Sequence, residues 1–152
     1  MSDRPRRTLL TRLKVAIAKV GAVIVLLITD MSLRLVGYRQ TCRWMLALSP
    51  TPPSAPYPGS AARAYAIAST IGGAVNITNV NCLRRALSVW WVLRWLGIST
   101  RVRIGINLTG GHAWVEHQNL VLTDNQDIAS QFAILYDDQL LPEMIAKRLK
   151  FE

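Results

Sequence analysis

The apolar pattern of this chain changes period at Gly97, and that change limits the fold more than any other feature. From Cys82 to Leu96 the apolar positions Leu83, Ala86, Leu87, Trp90, Trp91, Leu93 and Leu96 recur at helical spacing. Arg84, Arg85, Ser88 and Arg94 fall mostly on the opposite side. Asn81 is a natural N-cap for this helix and Gly97 a left-handed C-cap. After Gly97 the period becomes two: Ile98, Val102, Ile104 and Ile106 point one way, and Ser99, Arg101, Arg103 and Gly105 largely the other. Gly110-Gly111 reads as a turn. His112–Glu116 and Leu120–Asp124 read as two short strands around a three-residue loop, His117-Gln118-Asn119. A helix laid on a small antiparallel sheet, an α+β arrangement, follows from this order.

The same stretch carries the reactive side chains. Cys82 stands at the first turn of the helix, where unpaired amides and the helix dipole stabilise a thiolate. Arg84 and Arg85 add positive charge nearby. With residues 117–119 as the loop, paired residue numbers sum to 236, and His112 faces Asp124. Directly opposed side chains in an antiparallel pair have Cβ atoms about 5 Å apart, within reach of a carboxylate–imidazole bond. A thiol, an imidazole and a carboxylate are the parts of a cysteine nucleophile site. On its own Cys82 reads first as a small buried residue opening a core helix, and it is the facing His112 and Asp124 that turn the reading toward a nucleophile. His117, at the loop tip, reads as solvated. Cys42, with no histidine near it in sequence, reads as structural. One Cys-His set without a CxxC or HxxxH pair argues against zinc, and no phosphate-binding loop is present.

The flanking segments are less specific. Residues 1–49 hold nine basic and two acidic residues, residues 61–103 six basic and none acidic, and residues 104–152 three basic and seven acidic, for a net charge of +9. The basic front favours an acidic peptide, a membrane surface or a nucleic acid. No recognition-helix or aromatic-basic strand motif supports nucleic acid. Leu9, Leu10, Leu13, Ala16, Ile17, Val20, Val23, Ile24 and Leu27 repeat at helical spacing, and residues 32–48 read as a second helix. The uninterrupted apolar run Val20–Ile28 is shorter than the roughly 20 residues a bilayer span needs. A core helix with a basic solvent face is the plain reading; an interfacial helix on anionic lipid is the alternative. Ser49–Ser60 contains five prolines and reads as a linker. Residues 61–74 read as a helix fraying at Gly72-Gly73, and 125–152 as a loop, a short apolar segment around Phe132–Leu135 and a polar C-terminal helix. Two cysteines and no secretory cleavage pattern fit a reducing cytoplasm, with membrane association through the first helix as an option.

The order NCLRRALSVWWVLRWLGISTRVRIGI, then GHAWVEHQNLVLTD, resembles the transglutaminase-like, papain-related cysteine enzymes. In detail it resembles the leader peptidase of lasso-peptide biosynthesis, the stand-alone protease half of the B protein. The resemblance is specific across about residues 80–135. It implies a papain/transglutaminase-like core over residues 61–152; the basic helical segment (1–48) and the proline linker (49–60) before it are read from the residues themselves. It implies Cys82 as nucleophile, His112 as general base and then acid, and Asp124 as the residue orienting His112. For the oxyanion, the Cys82 amide and the side chains of Asn76, Asn79 and Asn81 are candidates; for substrate contact, Arg101, Arg103 and Trp114. No cofactor is implied, and any ATP use belongs to the cyclase. The partners implied are a precursor peptide bearing the leader, a separate leader-recognition protein and an ATP-dependent macrolactam synthetase. A transglutaminase-like acyltransferase and a non-catalytic basic adaptor for peptide or membrane are the rival readings.

Overall fold

The structure is a computed structural model describing residues 4–53, 57–78 and 81–137. Three helices precede a four-stranded sheet: α1 (Arg4–Leu48), α2 (Ser60–Thr78), α3 (Cys82–Trp95), β1 (Arg101–Asn107), β2 (Gly110–His117), β3 (Leu120–Val121) and β4 (Ala133–Asp137). The sheet order is β3-β2-β1-β4, with every pair antiparallel. This is the α+β class expected. The C-terminal helix expected beyond the sheet lies outside the described residues.

The Cys82-bearing helix forms as its sequence dictates. Asn81 is extended (φ −73°, ψ 169°), and its side-chain oxygen accepts the Arg84 amide. At the other end Ile98 N–H reaches the Leu93 carbonyl and Gly97 N–H the Arg94 carbonyl, with Gly97 at φ 71°. That is a Schellman closure, which only a residue tolerant of positive φ supports without strain. Leu87, Val89 and Leu93 are buried in one cluster with Val102, Ala113 and Val115 from the sheet and Leu26, Ala64 and Ile71 from the other helices. α3 is therefore covered on both sides. This corrects the reading of Ser88 as an outward residue: it is fully buried, and its hydroxyl donates to Thr29 Oγ1 of α1 at 2.9 Å. A polar pair satisfied across a helix–helix contact costs little, whereas either group alone would carry its desolvation penalty.

The long first helix differs from expectation in two ways. Its break is not near residue 31 but at Gly37, whose φ of 77° and ψ of 173° interrupt an otherwise helical element. The apolar face read as its core side is also the one left exposed, and the other side packs into the core. Ala22, Leu26 and Thr29 are buried, while Leu13, Ile17, Val20, Ile24, Leu27 and Met31 are exposed. α2 runs through Gly72-Gly73 instead of fraying there, because Ala64, Ala68, Ile71 and Ala74 hold its inner face against α1 and α3. Packing outweighs the roughly 1 kcal/mol helix penalty of each glycine. The cluster unites residues from both sides of the proline segment.

The hairpins also depart from the sequence reading. The β1–β2 turn is Leu108-Thr109, not Gly110-Gly111; both glycines pair within the ladder, with Asn107 and Ile106. Asn107 Oδ1 accepts from the Thr109 and Gly110 amides and closes the turn. The β2–β3 loop is two residues long, Gln118 (φ 51°) and Asn119 (φ 65°), the geometry of a type I′ turn. His117 consequently belongs to β2 and pairs with Leu120, and Glu116 faces Val121. The one-residue shift turns His117 inward. It is 2% exposed, its Nδ1 lies 2.7 Å from the Ser99 carbonyl, and its Nε2 lies 3.0 Å from Ser60 Oγ. A carbonyl only accepts, so Nδ1 carries the proton, and in the neutral ring Nε2 accepts from Ser60. His117 is thus a clasp between the sheet and the start of α2, not a solvated loop residue.

Gly105 fits a tight space. A Cβ there would stand 2.7 Å from Phe132 Cβ and 3.2 Å from both the Ala133 carbonyl oxygen and the Trp114 ring. Because one neighbour is backbone, Gly105→Ala is expected to destabilise the fold by about 1–3 kcal/mol, as overpacking does. A urea midpoint equal to the parent's would contradict that crowding.

Candidate active site

Asp124 lies just past β3, where the chain has left the ladder. The last bond to β2 along this path runs from Leu122 N–H to the Val115 carbonyl, and the Val115 amide is then taken by Thr123 Oγ1. In the observed register His112 is not opposite Asp124, so the derivation from a three-residue loop is wrong. The two residues nevertheless meet, because residues 122–124 depart from strand geometry. His112 Nε2 lies 3.3 Å from Asp124 Oδ2. Nε2 is buried, and the approach is close in distance but off-line for a hydrogen bond.

Asp124 has a second partner that the sequence reading did not assign. Arg85 Nη2 lies 2.7 Å from the same Oδ2, with both side chains roughly four-fifths buried. Arg85 stands three residues after Cys82, and residues three apart share a helix face. The carboxylate therefore connects the imidazole on β2 to the first turn of α3, one turn from the thiol. The neighbouring Arg84 turns the other way, with Nε 2.7 Å from Asp30 Oδ1 on α1. Both arginines expected to lend charge to the thiol are thus engaged with carboxylates. The spacing from Cys82 to Arg85 was the one sequence signal for this link.

Cys82 is a free, half-buried cysteine packed against the core, and Cys42 is buried as expected. The amides of Cys82 and Leu83 head the helix with no intrahelical acceptor, since Asn81 caps the Arg84 amide and its carbonyl takes the Arg85 amide. Asn81's side-chain oxygen is committed to capping, whereas the Asn76 side chain and all of Asn79 lie outside the described residues.

The His112 ring is held among aromatics. Its centroid is 5.4 Å from that of Phe132 and 6.2 Å from that of Trp114, at interplanar angles of 27° and 20°. Phe132, another residue without an assigned role, leads into β4 and fills the space Gly105 leaves. Trp114 does not offer a substrate-contacting surface: it is fully buried, and its Nε1 donates to Glu116 Oε1 at 2.8 Å. Arg103 is paired with the other Glu116 oxygen at 3.1 Å, so it buttresses Trp114. Arg101, half-buried, sits opposite Glu116 on the same face of the sheet. Among the described residues no three His, Cys, Asp or Glu side chains converge as metal ligands.

The model of the transglutaminase-like superfamily matches residues 25–137, about three-quarters of the chain. The chain belongs to the transglutaminase-like superfamily. The part of α1 from residue 25 onward, α2, α3 and the sheet all lie within the matched residues. No curated protein and no solved structure matches the chain. A transglutaminase-like domain fits a cysteine protease or an acyltransferase, both of which work through a thiol acyl intermediate.

Proposed function

We propose that this transglutaminase-like chain is a cysteine peptidase that uses Cys82, His112 and Asp124. The supporting observation is the single Asp124 oxygen that contacts both His112 and Arg85, and so couples the imidazole to the helix turn bearing Cys82. With Nε2 turned to Asp124, Nδ1 is the nitrogen left to serve the thiol. His112 takes the thiol proton at Nδ1, and Sγ adds to the scissile carbonyl. The Cys82 and Leu83 amides are placed to receive the oxyanion. The imidazolium returns its proton to the leaving amine, giving an acyl-enzyme and the first product. Water, deprotonated by His112, then attacks the thioester; collapse expels the thiolate and frees the acid.

The finer reading is removal of the leader from a lasso-peptide precursor before macrolactam closure. It rests on the likeness of GHAWVEHQNLVLTD and the preceding NCLRRALSVWWVLRWLG to that peptidase. A separate recognition protein would deliver the leader, and an ATP-dependent macrolactam synthetase would consume the freed amine. Incubation of the chain with such a precursor and recognition protein, followed by mass spectrometry, tests it. Two fragments whose masses total the precursor plus one water support hydrolysis. A product carrying an added amine identifies an acyltransferase. Intact precursor, with iodoacetamide labelling Cys82 no faster than Cys42, identifies a non-catalytic adaptor.

Asp124→Asn is expected to lower kcat/KM by roughly 10- to 100-fold, short of the loss at Cys82, because the amide oxygen can still accept from Nε2–H while the ion pair to Arg85 is lost. Undiminished cleavage by that variant would remove Asp124 from the site.

A further inference from the structure

We infer that α1 docks this protein on an anionic lipid bilayer, lying along the surface and not crossing it. Leu13, Ile17, Val20, Ile24, Leu27 and Met31 are all more than two-fifths exposed. Their spacing of four and three residues places them in one stripe, about 27 Å long. An 18-residue window of this helix has mean hydropathy 2.0 and is 17% buried, so length and composition alone would also suit a membrane span. The opposite face decides against a span. Ala22, Leu26 and Thr29 are packed into the body with α2 and α3, and lipid cannot surround a helix docked in that way.

Charge selects the occupant. Arg12, Lys14 and Lys19 are exposed at the front of the stripe, and residues 1–49 carry nine basic side chains against two acidic. Two such surfaces repel one another, which disfavours a second copy. The stripe from Leu13 to Met31 also holds no polar residue of the kind that fixes register between paired helices. A bilayer requires none, and anionic headgroups complement the flanking cations. Beside the stripe, a cavity of about 430 Å³ between α1 and α2 is lined by Ala18, Gly21, Val25, Ala66 and Ile67, with Arg63 among its walls. Its small apolar lining and one cation suit an acyl chain and its phosphate.

Sedimentation of the full chain with vesicles tests this independently of any chemistry at Cys82. The parent should co-sediment with phosphatidylglycerol–phosphatidylcholine vesicles, and about 100-fold more weakly with phosphatidylcholine alone. Arg12→Gln/Lys14→Gln/Lys19→Gln should weaken binding to the anionic vesicles by a similar factor. Ile17→Gln/Ile24→Gln/Leu27→Gln, whose changes fall on exposed positions and leave the packed face intact, should abolish it with an unchanged circular dichroism spectrum. A parent that stays in the supernatant overturns the proposal, as does undiminished binding by either triple variant. Light scattering that finds a parental dimer, dissociated by the apolar triple variant and indifferent to vesicles, assigns the stripe to a second copy instead.

Discussion

Cys82→Ala is expected to abolish peptide cleavage, a fall of roughly 10,000-fold or more, with the fold preserved. Removing a nucleophile removes the covalent route altogether, and the binding surface and the oxyanion amides that remain contribute only a residue of the rate. The substitution deletes one half-buried sulfur at the margin of the core, so a small loss of stability, about 1 kcal/mol, is the most that packing predicts. Cleavage at the parental rate by a purified Cys82→Ala sample, free of parental protein by mass, would refute the peptidase proposal outright.

Arg85→Met is expected to have the next largest effect. The guanidinium contributes a 2.7 Å charge-assisted bond to the carboxylate that also meets His112. Without it Asp124 loses its tether to α3, and the imidazole is no longer indexed to the helix turn that carries Cys82. A displacement of about 1 Å at a reacting centre costs on the order of 100-fold in rate, so kcat should fall by about that factor while KM moves little. Stability should fall too, by about 1–3 kcal/mol, since both members of the pair are mostly screened from solvent. Two further readouts separate positioning from mere destabilisation. Alkylation of Cys82 by iodoacetamide should slow in the folded variant, and Arg85→Lys, which keeps the charge but not the planar fork, should restore part of kcat. An Arg85→Met enzyme with parental kcat and parental alkylation rate would show that the link to Asp124 is structural alone.

Local signals carried the parts of the molecule that local physics determines. Asn81 and Gly97 bracket α3 as their capping chemistry requires, and the alternation through β1 sends Val102 and Ile104 to the core as expected, although Ile106 is exposed and Gly105 buried. What failed was register. The sequence His117-Gln118-Asn119 contains no glycine to announce a two-residue turn, yet Gln118 and Asn119 both adopt positive φ. His117 therefore moved from a solvated loop to a buried clasp, a change of one position that reverses the face of a residue. The meeting of His112 with Asp124 was anticipated through a pairing that does not exist; the true cause is the chain's exit from the ladder after Val121. Periodicity marked the face of α1 from Leu13 to Leu27 as its core side, whereas the rest of the chain covers the other face, at Ala22, Leu26 and Thr29. The roles of Arg85, Gly105 and Phe132 depend on contacts between segments distant in sequence, and spacing along one element does not encode them.

The two arginines at the front of α3 have a consequence for when the chain becomes reactive. Arg84 grips Asp30 and Arg85 grips Asp124, so the turn bearing Cys82 is clasped from both ends of the polypeptide. Neither the first helix with α3 nor α3 with the sheet alone supplies both grips. Both grips exist only after the early and late parts of the chain have closed on the middle. On the proposed chemistry, Asp124 and the turn bearing Cys82 are indexed to each other only once folding is complete.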